Sequence, residues 1–259
     1  MRVNSLKVFI GVLVFGAVLG AASTANADTV AITSLTVSNL QFTAATGTAQ
    51  FTPTGTSARA VAENTFGERI DNTTNTFPIA QATAIVNGAT ISGIANGTTN
   101  FLSGSASSSV GSCSCTASGF SVSILTGTLL ITGAEGTIDV NVSALISTLR
   151  DLQTDQFGVR AVADLSFNLF VNNSPVFSLQ VELFHELEGP NRSVFLESSN
   201  QRSGTLRLQA GVEHSVRAVL VNSSAAVSEV PEPATVVLLL SGVGFMTGVL
   251  KKRRKKADQ

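Results

Sequence analysis

The chain has 259 residues, 44 % of them hydrophobic and only 13 % charged, with neither Trp nor Tyr. That length fits one large β domain or two smaller ones. The formal net charge of −1 hides a segregation: residues 28–229 hold eight arginines, no lysine and fifteen acids, a net of −7, while six consecutive cations crowd the last ten residues. An acidic, lysine-free body is unsuited to nucleic acid, because neutralising phosphates takes clustered cations.

In chain order, MRVNSLK supplies a positive start, VFIGVLVFGAVLG an apolar run, and AASTANA a small-residue box ending in Ala25-x-Ala27. Signal peptidase requires small side chains at those two subsites, so residues 1–27 are expected to be a signal peptide cut before Asp28. The body is then expected to be exported.

Period-two alternation dominates the next two hundred residues and predicts strands. Val30/Ile32, Leu35/Val37 and Leu40/Phe42 change parity from pair to pair, which predicts bulges or short separate strands. Residues 100–119, NFLSGSASSSVGSCSCTASG, read as a strand edge followed by a small-residue loop. Phe120, Val122 and Ile124 alternate with Ser121 and Ser123; Ile138, Val140 and Val142 alternate with Asp139 and Asn141. Leu145, Ile146, Leu149 and Leu152, with Ser143 as N-cap, predict one short helix across the end of a sheet.

The clearest strand is Val159–Val171, whose odd positions are apolar throughout. Asn172-Asn173-Ser174-Pro175 carries turn chemistry. Phe177, Leu179, Val181, Leu183 and Leu187 return on the same parity, opposite Glu182, Glu186 and Glu188, predicting a long antiparallel hairpin. Thr205–Gln209 and Val212–Val221 flank Ala210-Gly211 and predict another. The expected architecture is an all-β antiparallel sandwich of jelly-roll type spanning 28–221 with one short helix, and a linker at 222–230.

Candidate chemistry is sparse. Cys113 and Cys115 are the only cysteines, and export places them in an oxidising compartment. Residues two apart on a strand share a face near the upper limit for a disulfide, so a bond needs a bent backbone; free or intermolecular thiols are the alternative. His185 and His214 both fall on inward faces, where backbone groups would satisfy them; a shared metal would lack a third ligand. Glu182, Glu186 and Glu188, or Glu63, Glu68 and Asp71, could be read as calcium ligands, but no Asp-rich loop accompanies them. No Gly-x-Ser-x-Gly elbow occurs, and glycan-processing clefts usually have aromatic platforms, which a chain without Trp or Tyr lacks. No catalytic residue, metal or cofactor is expected.

The C-terminus reads VPEPATVVLLLSGVGFMTGVLKKRRKK. Pro231 and Pro233 lack amide protons and suit a helix entry. Residues 234–250 would form a helix about 25 Å long, enough for a thin bilayer. Lys251, Lys252, Arg253, Arg254, Lys255 and Lys256 would hold the far end in the cytoplasm. The order Pro231-Glu232-Pro233, short apolar helix, terminal basic cluster resembles the PEP-CTERM sorting signal. The resemblance covers roughly the last tenth of the chain; the pattern Leu206-x-Leu208-x-Ala210-Gly211 is also similar to a closing hairpin of such ectodomains.

That resemblance implies a Gram-negative, biofilm-forming source and a transient partner, a membrane-embedded exosortase that recognises Pro231, Glu232 and Pro233. It further implies an inner-membrane precursor held by one C-terminal helix, then release to the cell envelope, surface or matrix, with exopolysaccharide as a partner. The expected function is non-enzymatic, structural or adhesive. A carbohydrate-binding module is the second reading and a secreted hydrolase the third.

Overall fold

The computed structural model describes residues 29–111, 115–154, 158–176 and 179–228. They form thirteen strands: β1 (Thr29–Ala44), β2 (Thr48–Asn64), β3 (Arg69–Thr74), β4 (Ile79–Val86), β5 (Ala89–Asn96), β6 (Phe101–Val110), β7 (Cys115–Thr132), β8 (Thr137–Thr154), β9 (Gly158–Val171), β10 (Ser174–Pro175), β11 (Val181–Glu188), β12 (Arg192–Gln209) and β13 (Glu213–Ser228). One sheet has the order β12-β8-β1-β6-β5-β4; the other has β10-β9-β13-β7-β2-β3, with β11 also on the edge of β9. All pairings are antiparallel. The all-β, two-sheet expectation therefore holds. The nested pairs β1–β8 and β2–β7 are those of a jelly roll, but the β4-β5-β6 meander beside β1 departs from it.

The expected short helix is not formed: Ser143 to Leu152 lies within the eighteen-residue strand β8, and no α-helix occurs among the described residues. The misleading spacing arises because one outer-face residue of β8 is buried along with the inward ones. Ile146 and Leu152 point between the sheets, while Leu149, on the opposite parity, is also only 4 % exposed. Residues 101–110 likewise form an interior strand between β1 and β5, not an edge. The linker is corrected too: residues 222–228 continue β13, the central strand of its sheet, and Asn222 is fully buried. Ala210-Gly211 is a corner between sheets, because β12 pairs with β8 and β13 with β7 and β9.

The hairpin at Asn172-Asn173 forms, both asparagines adopting positive φ (51° and 63°) as a tight primed turn requires. Its return is interrupted between Pro175 and Val181, so β10 and β11 share the edge of β9 as two pieces. In β1 the parity change after Val37 is a bulge between Ser38 and Gln41, around Asn39 at φ 54°. The earlier change is not a bulge: Val30 and Ile32 lie on the outer face of a continuous strand.

The interior is layered along the strands. At one end Leu35, Leu40, Leu102, Leu125, Leu129, Phe167, Leu169 and Leu220 fill a thick core. At the other, Ala58, Ala60, Ala82, Ala84, Ala106, Ala117 and Ala226 make a thin one. Between them runs a buried polar belt of Thr33, Ser108, Ser121, Ser123, Asn222 and Ser224. Small residues let the sheets close up here: a Cβ on Gly93 would sit 3.4 Å from the Arg59 carbonyl of the opposing sheet. This inverts one expectation. In β7 it is Ser121 and Ser123 that face inward, while Phe120, Val122 and Ile124 face out, half-buried. Leu125, Leu129 and Ile131 share the inward parity with these serines and are fully buried in the thick core further along the same strand.

Candidate functional site

The sorting tail is the feature with the most specific sequence signal, and the fold fixes where it leaves the body. β13 pairs with β7 along its whole length and with β9 from Val216 to Ser228. Its last residue, Ser228, lies opposite Cys115 and Gly158 and is 1 % exposed. β1 begins at the same pole: Thr29 faces Thr154, the end of β8, four residues before Gly158 opens β9. The two ends of the sandwich thus emerge together. The hydroxyl of Thr154 fastens this pole by donating to the Gly189 carbonyl at 2.8 Å and accepting from the Arg192 amide at 3.0 Å. Arg160 and Glu186 form an ion pair beside it.

Pro231, Glu232, Pro233, the basic cluster Lys251–Lys256, the stretch 234–250, Ala25, Ala27 and Cys113 lie outside the described residues. Cys115 is buried at the start of β7 and disulfide-bonded.

At the opposite pole gather the turns around Gly47, Gly133–Gly136, Asn172–Asn173 and Ala210–Gly211. His214, 5 % exposed, is pinned there by Asn172 Nδ2 on its Nδ1 at 2.8 Å and by the Gln209 carbonyl at its Nε2 at 2.9 Å. The second contact takes Nε2–H as donor, and with Asn172 Nδ2 donating to Nδ1 both ring nitrogens are engaged in holding the turns together. His185 stands on β11 opposite Ala163. β9 separates its strand from β13, and the registers put the two rings about ten residues, roughly 30 Å, apart. They share no site. Beside this pole lies an open depression of about 280 Å³ lined by Ala45, Thr46, Thr137, Ile138, Asp139 and Arg207. Arg207 Nε donates to Asp139 Oδ1 at 3.1 Å across it.

Of the acids considered as calcium ligands, Glu63, Glu68, Asp71 and Glu186 have other partners. Arg59 grips Asp71 in a bidentate pair, Nε–Oδ1 2.9 Å and Nη2–Oδ2 2.6 Å. That hydrogen bonding, together with the guanidinium charge, holds the Asp71 carboxyl below its ordinary range, and Asp71 in turn raises Arg59. Arg59 also stacks 5.4 Å above the Phe120 ring. Glu63 pairs with Arg69 at 3.5 Å, and Glu68 accepts from Asn64 Nδ2 and the Asn87 amide. Glu63 and Asp71 lie on strands, not in a loop. No group of three or more His, Cys, Asp or Glu side chains suited to a metal occurs among the described residues.

β13, the central strand of its sheet, ends at Ser228, and the apolar, basic-ended tail follows directly in sequence. Residues 229–255 match the family model of the PEP-CTERM protein-sorting motif. The chain thus carries a PEP-CTERM sorting motif at its C-terminus, a motif that implies secretion and exosortase processing towards the cell envelope. The matched segment opens at the residue directly after the end of β13. No curated protein and no solved structure matches the chain.

Sequence reasoning missed the polar belt. Its signal was present as serines at inward parity in β7, but the larger Phe120, Val122 and Ile124 beside them drew the assignment to the wrong face.

Proposed function

We propose that this protein is a non-enzymatic, structural or adhesive component of the bacterial envelope or matrix, delivered by its C-terminal sorting signal and associated there with exopolysaccharide. In this reading residues 1–27 direct export and are removed. Residues 234–250 span the inner membrane, Lys251–Lys256 hold the cytoplasmic side, and exosortase acts near Pro231-Glu232-Pro233. The observation that carries the reading is the direct continuity of β13 with the sorting motif. The body is delivered as one rigid sheet structure, with the turn-rich pole of His214 and Arg207 pointing away from the membrane.

The outer face of the first sheet supports the polysaccharide association. Ser199, Ser147, Thr36 and Ser103 align as a row across four adjacent strands, and Ser34, Ser105 and Ser92 form a second. Ser147–Ser199 and Ser92–Ser105 are hydrogen-bonded at 2.9 and 2.7 Å. A flat hydroxyl array of low charge suits many weak hydrogen bonds to a hydroxylated polymer. The test is co-sedimentation of the exported protein with its source's own exopolysaccharide. Retention is expected to fall several-fold when Ser105, Ser103 and Thr36 are replaced by Glu; unchanged retention would refute the association. A carbohydrate-binding reading is favoured by the depression at Asp139 and Arg207. A glycan array would show saturable binding abolished by Asp139→Ala if it were the correct one.

A further inference from the structure

We propose that the protein pairs with a second copy of itself through β12, edge to edge and antiparallel, joining two first sheets into one continuous sheet. The inference is independent of the sorting reading.

The two sheets present four edges. An edge strand exposes a row of unpaired backbone N–H and C=O groups, and proteins that stay apart blunt such edges with breaks, short lengths or covering groups. Three edges here are blunted. β3 has six residues. β4 has eight, and Asn72 Nδ2 from β3 donates to its Thr83 carbonyl. β10 and β11 are broken apart after Pro175, and β11 carries Glu182, Glu186 and Glu188. β12 differs: it runs eighteen residues without proline or bulge, and β8 is its sole strand partner among the described residues. It also holds the exposed Phe195 at 59 % and the half-buried Val194, Leu196 and Leu206.

The side chains fix the partner as a second β12. Opposed residues in an antiparallel pair share a face, so self-pairing must match positions of equal parity. With the two-fold at Gln201, Leu196 meets Leu206 and Val194 meets Leu208 on the inner face. On the outer face Phe195 meets Arg207, Glu197 meets Thr205, and Ser199 meets Ser203. Glu197 then lies diagonal to the partner's Arg207, within reach of a long side chain. No like charges are opposed, whereas moving the two-fold one residue on, to Arg202, would set that arginine against itself. Arg202 does not obstruct the edge: it reaches inward and donates to the Gln180 carbonyl at 2.6 Å.

The test uses full-length protein exported into an oxidising compartment, with single cysteines introduced on the outer face. Gln201→Cys sits at the two-fold and is expected to form a disulfide dimer on non-reducing gels. The yield should exceed several-fold that of Thr83→Cys on the opposite edge. Ser199→Cys and Ser203→Cys should cross-link strongly only when co-expressed, which fixes the register. Resistance to added protease confirms that each variant is folded, and sedimentation of the unsubstituted protein reads the mass directly. A monomer by sedimentation, or equal cross-linking at positions 201 and 83, overturns the proposal. So does a ladder joining Gln201→Cys to Thr83→Cys, which would mean head-to-tail β12–β4 pairing.

Discussion

Thr33 and Asn222, 189 residues apart in sequence, hydrogen-bond to each other inside the sandwich and tie its two sheets together. Asn222 Nδ2 also donates to the Gly104 carbonyl at 2.7 Å and to the Thr33 carbonyl at 3.3 Å. One side chain on β13 thereby serves three groups on β1 and β6, in a layer where apolar side chains would force the sheets apart. Nearby, Ser108 and Ser224 join across the same gap at 2.7 Å. Buried polar groups of this kind are costly only when left unpaired, and these are paired.

Replacing Asn222 by Leu is expected to cost about 2–3 kcal/mol, because it removes the buried hydrogen bonds to the Gly104 and Thr33 carbonyls and leaves the Thr33 hydroxyl only the longer contacts to the Ala106 and Ser223 carbonyls, 3.3 and 3.4 Å. Urea denaturation with constant m-value measures it. Adding Thr33→Val should cost less than its own single-mutant value, since the partner is already gone. Ser121→Ala is the contrast: its Oγ is buried without a partner among the described residues, so no loss of stability is expected.

The close approach of the sheets makes a second expectation. A Cβ on Gly119 would lie 2.4 Å from Ile91 Cγ1 and equally near the Val61 carbonyl. Gly119→Val should therefore destabilise by about 3 kcal/mol, at the upper end for overpacking. Gly111→Ala, with open space around it, should leave the thermal midpoint within about 2 °C.

Arg59 and Asp71 give a pH signature. The Asp71 carboxyl is held below its unfolded value by the Arg59 hydrogen bonds and charge. Its contribution is therefore fully present above about pH 4, the unfolded value, and is lost as pH falls through the folded value. Asp71→Asn should lower the urea midpoint slightly at pH 7, and the difference from wild type should vanish in acid. It should also shrink with added salt, because the pair is exposed.

Much of this fold was legible where a strand buries one face. Val159–Val171 alternates cleanly, and Asn172-Asn173 announces its turn, so that segment followed from parity alone. Legibility failed where burial departs from one-face-in. Leu149 is buried on the outer face of β8, so a strand acquired helical spacing. Phe120, Val122 and Ile124 lie outside because the polar belt occupies the inner positions of β7. The segment 222–228 resembles a linker in composition, yet its small and polar residues are what the thin, polar part of the interior demands. The tail was legible because its parts act by order and spacing, not by tertiary contact. The pole from which it leaves was not, since that depends on β1 and β13 ending side by side.

The most direct test of the account is the intact mass of surface-extracted protein, wild type against a chain with Pro231-Glu232-Pro233 scrambled. The account predicts that the wild type has lost the residues beyond that tripeptide, basic cluster included, while the scrambled chain keeps them and stays with the inner membrane. Identical masses and identical location for the two chains would contradict it.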